Sequence, residues 1–230
     1  MKSAPRLLIF DIDGTLIRTG GAGRAAMNQA FLEVFGISDA TGAIDLGGRT
    51  DLGIAREVLA RAEHPWDRAK VERVFEDYLV RLAPAVAAAP GYEVMPGIHG
   101  LIERLSQDPE VALGLGTGNL EGGARIKLRR AGLDTPFHYG GFGSDAEDRT
   151  ELIRIAATRG AAFTGLPLEE CRPVVIGDTP RDIHAAQALN IPCVAVATGS
   201  YTLAQLEECA PAVVLTDLAG DDVPRILRDL

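Results

Sequence analysis

The segment Leu7-Leu8-Ile9-Phe10-Asp11-Ile12-Asp13-Gly14-Thr15-Leu16 decides the fold of this chain. Its four leading apolar residues predict a strand that is buried on both faces. Asp11 and Asp13 come directly after them, so they lie where the strand leaves the sheet, which is the edge at which open α/β sheets bind ligands. Side chains two positions apart on an extended chain point the same way, so both carboxylates can face one crevice.

Two carboxylates held this closely repel each other unless a positive charge lies between them. A hard divalent cation with oxygen ligands meets that need, and Mg²⁺ is the usual one near phosphate groups. An ordinary strand with an Asp-Gly turn after it would account for the same residues. The motifs further along the chain decide between these two interpretations.

Composition limits the classes of protein to consider. The chain has 230 residues, 47% of them apolar, and a net charge of −9. This length accommodates one sizeable core with a small insert, and the acidic balance argues against nucleic acids and anionic membranes as partners. Cys171, Cys193 and Cys209 show neither metal-site spacing nor a disulfide framework, which favours a reducing cytoplasm. The apolar run after Met1-Lys2-Ser3 is too short for the core of a signal peptide. No apolar run in the sequence is long enough to span a bilayer.

The region after the first strand is predicted to be helical. Apolar residues spaced three and four apart predict helices over 26–35, 50–59 and 71–82, the last ending near Pro84. The Gly20–Gly23 run looks like a flexible exit from the core, and no strand pattern occurs between about 20 and 90. We therefore expect a core domain of residues 1–18 and 95–230, with a helical domain of residues 19–94 inserted into it.

From Pro96 onward strands and helices alternate, which predicts βαβ units and a parallel sheet. The fold class is therefore α/β. Strands are expected at 111–115, 137–141, 174–176, 193–196 and 213–215. Helices are expected at 96–105, 121–131, 150–159, the last closed by Gly160, and 181–189.

Two further strand ends carry polar residues. Gly116-Thr117-Gly118-Asn119 offers a hydroxyl and free N–H groups before a helix, which suits a phosphate oxygen, although Thr117 or Asn119 could simply cap that helix. Another buried strand runs into Asp178, which can complete a metal site with Asp11. Asp182 comes four residues later and could hold a basic side chain or bind metal through water, although both acids could equally be helix-capping groups.

Four motifs occur along the chain in the same order as in the haloacid dehalogenase superfamily, which this sequence resembles over essentially its whole length. They are DIDGT, the Thr117 strand end, a basic residue and GDTPRD. The helical insert is similar to the type 1 cap of the phosphoglycolate-phosphatase-like subgroup. The resemblance implies a Rossmann-like three-layer α/β/α sandwich over which the cap closes.

The resemblance also implies a role for each site residue. Asp11 would be the nucleophile that takes the phosphoryl group, and Asp13 would protonate the leaving oxygen and then activate water. Mg²⁺ would be held by the Asp11 carboxylate, the Asp13 main-chain carbonyl and Asp178. The residues implied to hold phosphate oxygens are Thr117, Gly118, Asn119 and Arg149.

Two residues compete for the superfamily's third motif, a Lys or Arg that clamps the phosphoryl group. Arg149 lies at or just before a helix N-terminus, where the interaction of its positive charge with the helix dipole is unfavourable by roughly 0.3–1 kcal/mol. Lys127 lies mid-helix among three arginines, which is typical of a solvated basic face. The sequence therefore favours Arg149, with Asp182 able to hold its side chain.

A further arginine lies in the insert. Gly47-Gly48-Arg49-Thr50-Asp51 is a glycine-led turn in which Thr50 can cap the next helix. Arg49 is either a solvated neighbour of that cap or a group that faces the active site when the insert closes. In the second case it would bind the part of an anionic or hydroxyl-rich substrate that does not react.

Departures from the motifs narrow the predicted activity. Asp13 argues against true dehalogenases, which lack this acid, and against transport ATPases, which have threonine there. The Gly20–Gly23 run stands where the superfamily's mutases tend to have histidine. The predicted function is therefore Mg²⁺-dependent phosphatase action on a small phosphorylated metabolite. The alternatives are a sugar-phosphate mutase and a non-catalytic binding protein, and the sequence leaves the substrate and the oligomeric state open.

Overall fold

A computed structural model describes residues 4–230. Residues 1–3 lie outside that range. The start of the predicted core domain and part of the signal-peptide prediction fall on them. The strands are β1 (Arg6–Phe10), β2 (Ile17–Thr19), β3 (Tyr92–Val94), β4 (Val111–Thr117), β5 (Tyr139–Phe142), β6 (Arg172–Gly177), β7 (Cys193–Val196) and β8 (Val213–Leu215). The helices are α1 (Ala22–Phe35), α2 (Asp51–Arg61), α3 (Arg68–Ala88), α4 (Ile98–Ser106), α5 (Glu121–Arg129), α6 (Arg149–Thr164), α7 (Pro180–Ala188), α8 (Leu203–Glu207) and α9 (Val223–Asp229), with a 3₁₀ turn at Leu168–Glu170.

Six strands form one parallel sheet in the order β5-β4-β1-β6-β7-β8. The first strand lies in the middle, where Leu8 pairs with Leu113 on one side and Val174 on the other. A central parallel strand is covered on both faces, which explains its continuous apolar run. The predicted parallel α/β sheet is confirmed, and the carboxyl ends of β1, β4 and β6 meet at one edge.

Alternate residues of β1 belong to two separate hydrophobic layers. Leu8 and Phe10 pack with apolar side chains of α4, α5 and α9. Leu7 and Ile9 face the opposite side and pack with side chains of α6, α7 and α8. Complete burial of such a side chain contributes about 1.5–3 kcal/mol. The two layers enclose the sheet in the expected three-layer sandwich.

The inserted region contains α1, α2 and α3, which share a third hydrophobic cluster. The structure describes all of residues 20–91 and assigns no strand there. A two-stranded antiparallel ribbon of β2 and β3, which the sequence pattern did not predict, joins the insert to the core and pairs Ile17 with Val94. Gly20 packs directly against the backbone of Gly91 at the end of this ribbon. The predicted division at residues 18/19 and 94/95 falls on this ribbon and stays a prediction.

Two predicted helix ends are wrong. The third insert helix continues through Pro84 to Ala88, because Pro84 lies on the exposed side while Val86 is buried on the inner side. Helix α6 continues through Gly160 to Thr164 and is capped by Gly165, whose φ is 74°. Gly160 is present for close packing, since a Cβ there would lie 2.7 Å from the Tyr139 ring. Glycine in a helical pattern therefore marks a close contact here, not a terminus.

Among residues 4–230, no helix is both long and apolar enough to cross a membrane. The three cysteines are unpaired in the same part of the chain, with Cys171 and Cys193 buried.

Candidate active site

Three acids meet at the carboxyl edge of the sheet. Asp11 comes directly after β1, Asp178 directly after the adjacent β6, and Asp182 lies in the first turn of α7. One carboxylate oxygen of each lies within 4.8 Å of the others, and all three residues are buried. Burial raises the pKa of Asp11 to about 6, and Arg149 opposes that rise only in part. Burial and the charge of Asp11 raise the pKa of Asp178 well above its usual range.

The donor set fits a hard divalent cation. Oxygen ligands of this kind suit Mg²⁺. The charge of Asp11 raises the pKa of the buried Asp178, so a cation bound by both carboxylates would relieve their repulsion. Asp182 is less suited as a ligand, because its Oδ1 accepts from Arg149 and its Oδ2 accepts from Thr179 Oγ1 at 2.7 Å. Asp11 and Asp178 are therefore the carboxylates that can hold the ion.

Arg149 is the first residue of α6, and its buried guanidinium lies between two acids. Nε and Nη2 donate to Asp182 Oδ1 at 2.9 and 2.5 Å, and Nη2 lies 3.2 Å from Asp11 Oδ1. Burial alone would lower the pKa of Arg149, but Asp182 and Asp11 together raise it above its usual value. Of the two roles predicted for Asp182, the structure shows that it holds Arg149, and it also forms a capping box with Thr179.

The interpretation of Lys127 as part of a solvated basic face is wrong. Its side chain is only 7% exposed, and Nζ lies 2.6 Å from Asp13 Oδ2 and 2.6 Å from Asn119 Oδ1. The helix turns Lys127 inward with Gly123 and Leu128, while Arg129 lies on the exposed side. Both candidate cations therefore reach the site, Lys127 at Asp13 and Arg149 at Asp11.

The strand end after β4 supplies the polar groups that the sequence predicted. Thr117 is fully buried, and Asn119 Nδ2 donates to Asp13 Oδ2 and to Thr117 Oγ1, both at 2.8 Å. The alternative that Thr117 or Asn119 caps the next helix is wrong. The N-cap of α5 is Leu120, and its N–H donates to Asp51 of the insert at 2.8 Å.

A cavity of about 600 Å³ lies between the core and the insert. The core lines it with Asp11, Asp13 and Asp178, with Lys127 and Arg149, and with the strand end at 117–119. The insert lines it with Arg24, Arg49 and Tyr78, among others. A cavity with convergent charged groups and perturbed carboxyl pKa values is where catalysis is expected.

The structure places Arg49 at this cavity, with its side chain about one-third exposed. Its guanidinium forms an ion pair with Glu57 on α2, and its Nε is buried without a hydrogen-bond partner. Its side chain is thus neither fully solvated nor committed to the core, and the substrate-binding role predicted for Arg49 stays a prediction.

Three residues of the site were missed or misread in the sequence. Lys127 could have been found from its four-residue spacing to Gly123, since both lie on the buried stripe of α5. Asp51 looked like an ordinary first-turn acid, and Tyr78 looked like packing within α3. Nothing in the local pattern of Asp51 indicates its contact with Leu120 of the core, and nothing in that of Tyr78 indicates that it lines the cavity.

Comparison with protein families matches residues 8–196 to the haloacid dehalogenase-like hydrolases. The phosphoglycolate phosphatase of Rhodospirillum rubrum is 28% identical over 222 residues, which cover 94% of this chain and 89% of that protein. A hydrolase from Pseudomonas syringae aligns with a TM-score of 0.71 and 21% identity over 98% of this chain and 99% of that one.

A β-phosphoglucomutase from Clostridium difficile aligns with a TM-score of 0.70 and 14% identity, covering 99% of this chain and 98% of that one. At such identities the two solved structures show the shared fold alone. The family match covers most of the chain and confirms the resemblance indicated by its motifs. This protein therefore belongs to the haloacid dehalogenase-like hydrolases.

Proposed function

We propose that this protein is a Mg²⁺-dependent phosphatase that hydrolyses small phosphomonoesters through an aspartyl phosphate on Asp11. The observation that supports the proposal most is the pairing of two acids with two cations at one cavity. Asp11 lies 3.2 Å from Arg149 and Asp13 lies 2.6 Å from Lys127. An acid pair of this kind supplies one nucleophile and one proton carrier, and the cations offset the charge of a phosphate dianion.

In the first step an Asp11 carboxylate oxygen attacks phosphorus, and the bond from phosphorus to the ester oxygen breaks. Asp13 gives its proton to that oxygen, so the alcohol leaves neutral. In the second step Asp13 takes a proton from water, whose oxygen attacks phosphorus and displaces the Asp11 carboxylate. Inorganic phosphate is released, and both acids return to their starting states.

The surrounding groups hold the phosphoryl oxygens and the metal. Thr117 Oγ1 and the N–H groups near Gly118 are suited to hydrogen-bond phosphate oxygens, and Asn119 keeps Asp13 and Thr117 in place. Asp11, Asp178 and the Asp13 main-chain carbonyl would hold Mg²⁺, which when bound would neutralise charge on the nucleophile and on the phosphate.

Arg149 and Lys127 both reach the site as candidates for the third-motif cation. The N–H groups of Arg149 are directed at Asp182, at Asp11 and at the main-chain oxygens of Gly48 and Gly116. Lys127 contacts two acceptors among the described residues, which leaves one of its three N–H donors for a ligand. We therefore propose that Arg149 orients Asp11 and that Lys127 binds the phosphoryl group directly.

A small phosphorylated metabolite is the proposed substrate. The Rhodospirillum rubrum relative is named for phosphoglycolate, so a short phosphorylated acid is the first compound to test. A cytoplasmic location remains part of the proposal, since the unpaired cysteines suit a reducing compartment.

A phosphomonoester panel on purified protein, with Mg²⁺ and after chelation, tests the proposal. We expect phosphate release that requires Mg²⁺ and that Asp11→Asn reduces to background, since the variant keeps the size of the side chain but loses the attacking charge. Isomerised sugar phosphate without phosphate release would indicate a mutase. Binding without turnover of any ester would indicate a non-catalytic protein.

A further inference from the structure

Helix α5 begins without a cap from its own segment. Its N-cap residue is Leu120, whose hydrocarbon side chain accepts no hydrogen bond. The first N–H groups of a helix need acceptors from elsewhere. Asp51 Oδ2 accepts from the Leu120 N–H at 2.8 Å, although Asp51 lies 69 positions earlier in the chain and belongs to α2 of the insert.

This hydrogen bond is one of several that join the start of α2 to the core. The Asp51 N–H donates to the Gly118 carbonyl at 2.7 Å, and Thr50 Oγ1 donates to the Glu147 carbonyl at 2.8 Å. A Cβ at Gly118 would collide with the Arg49 carbonyl oxygen, so the two backbones touch. The side chain of Leu120 in turn lies in the hydrophobic cluster of the insert.

The core segment that Asp51 holds carries the groups around Asp13. Thr117 and Asn119 lie just before Leu120, and Lys127 lies two turns into α5. Lys127 and Asn119 both contact Asp13 Oδ2. A shift of the α5 N-terminus would therefore move the partners of Asp13, and misplacement by about 1 Å at an active site can cost roughly 10²-fold in rate.

We infer that Asp51 is a positioning residue: by capping α5 from the insert, it ties the seating of the insert to the placement of Lys127 and Asn119 against Asp13. Asp51 acts here through its hydrogen-bond acceptor, which an amide oxygen also provides. Asp51→Asn therefore keeps an acceptor of the same shape for the Leu120 N–H.

The test compares three variants. Asp51→Ala removes the acceptor, and Asp51→Asn keeps one. Asp67→Ala is the matched control, because Asp67 caps α3 by accepting from the Lys70 N–H at 3.1 Å on the surface of the insert. The measurements are kcat for an aryl phosphate with Mg²⁺ and hydrogen exchange at the Leu120 amide. The kinetic measurement rests on the proposed function, whereas the exchange measurement does not.

For Asp51→Ala we expect kcat to fall about 10–100-fold and Leu120 exchange to quicken roughly tenfold. Asp51→Asn should restore both values, and Asp67→Ala should change neither. Wild-type kcat and wild-type exchange in Asp51→Ala would overturn the inference, as would equal losses in Asp51→Ala and Asp67→Ala. If the wild type hydrolyses no ester, the proposed function fails, and Leu120 exchange alone decides whether Asp51 caps α5.

Discussion

Lys127 and Arg149 bring two positive charges to Asp13 and Asp11, the proposed proton carrier and nucleophile, but the two cations are held in different ways. The guanidinium of Arg149 is fixed by Asp182 and by main-chain oxygens, which suits a group that keeps Asp11 in one orientation. The ammonium of Lys127 is a compact charge on a flexible stem and can exchange Asp13 for a phosphate oxygen during the reaction.

Lys127→Met should therefore lower kcat/KM by about 10²–10³-fold, as expected when a charged group that stabilises the transition state is lost. Arg129→Met is the matched control on the same helix, since Arg129 is 71% exposed and pairs only with Asp134 among the described residues. Steady-state kinetics and the melting temperature should be measured together. Equal kinetic losses in both variants, or wild-type turnover in Lys127→Met, would contradict the assignment.

At the scale of elements, the type and chain order of the core strands and of helices α4 to α7 could be predicted, because their apolar periodicity reports local burial, whereas the short helices α8 and α9 were missed. Leu7–Phe10 alone indicates a central strand. The positions of Asp51 and Lys127 could not be predicted in the same way, because each depends on packing between segments far apart in sequence. Pro84 and Gly160 misled for a related reason: both residues end isolated helices, but tertiary packing carries these two helices past them.

Arg49 on the segment before α2 provides a test of how the insert selects substrate. Arg49→Ala should raise KM for the preferred substrate and leave hydrolysis of a generic aryl phosphate nearly unchanged, because that ester has no group for the insert to bind. Glu57→Gln is the matched control, since it releases Arg49 from its ion pair and should not raise KM. Steady-state kinetics on both esters decides, and equal losses on the two in Arg49→Ala would indicate a folding defect instead.

Asp51 at the start of α2 should also make stability depend on pH. Its pKa is about 6 in the folded protein against an ordinary value of 3.8, raised by burial and by Asp13 and lowered by Lys127 and the Leu120 N–H. Between these values the folded protein holds a proton that the unfolded chain has lost. The contribution of Asp51 to the free energy of unfolding therefore falls as pH rises from about 4 to about 6 and then levels off.

The side chain at this position in Asp51→Asn does not titrate, so the variant should not lose this contribution to its free energy of unfolding. Relative to the variant, the wild type should lose about 1.4 kcal/mol per pH unit across that window and roughly 3 kcal/mol in all. Urea unfolding of both proteins between about pH 4.5 and 7.5 measures the difference. A constant gap across this range would show that Asp51 keeps an ordinary pKa.

At the scale of the whole molecule, folding brings carboxylates together that the unfolded chain keeps apart. Asp11 and Asp178 are both buried, and the charge of Asp11 raises the pKa of Asp178, so ionising both in the metal-free protein costs folding free energy. A cation that binds them only in the folded state should recover that cost and add its own binding free energy. Metal binding at these acids would therefore be linked to global stability.

Mg²⁺ should accordingly raise the melting temperature of the wild type. At a concentration about 100 times Kd the stabilisation is about 2.7 kcal/mol, or roughly 5–10 °C for a chain of this length. Asp178→Asn should abolish the shift while leaving the metal-free protein at least as stable as the wild type, because the substitution removes a buried charge that repels Asp11. Asp67→Asn, at a partly exposed acid of the insert, should keep the full shift. Thermal unfolding with and without Mg²⁺ measures all three proteins. An unchanged shift in Asp178→Asn would show that the metal does not bind at Asp11 and Asp178.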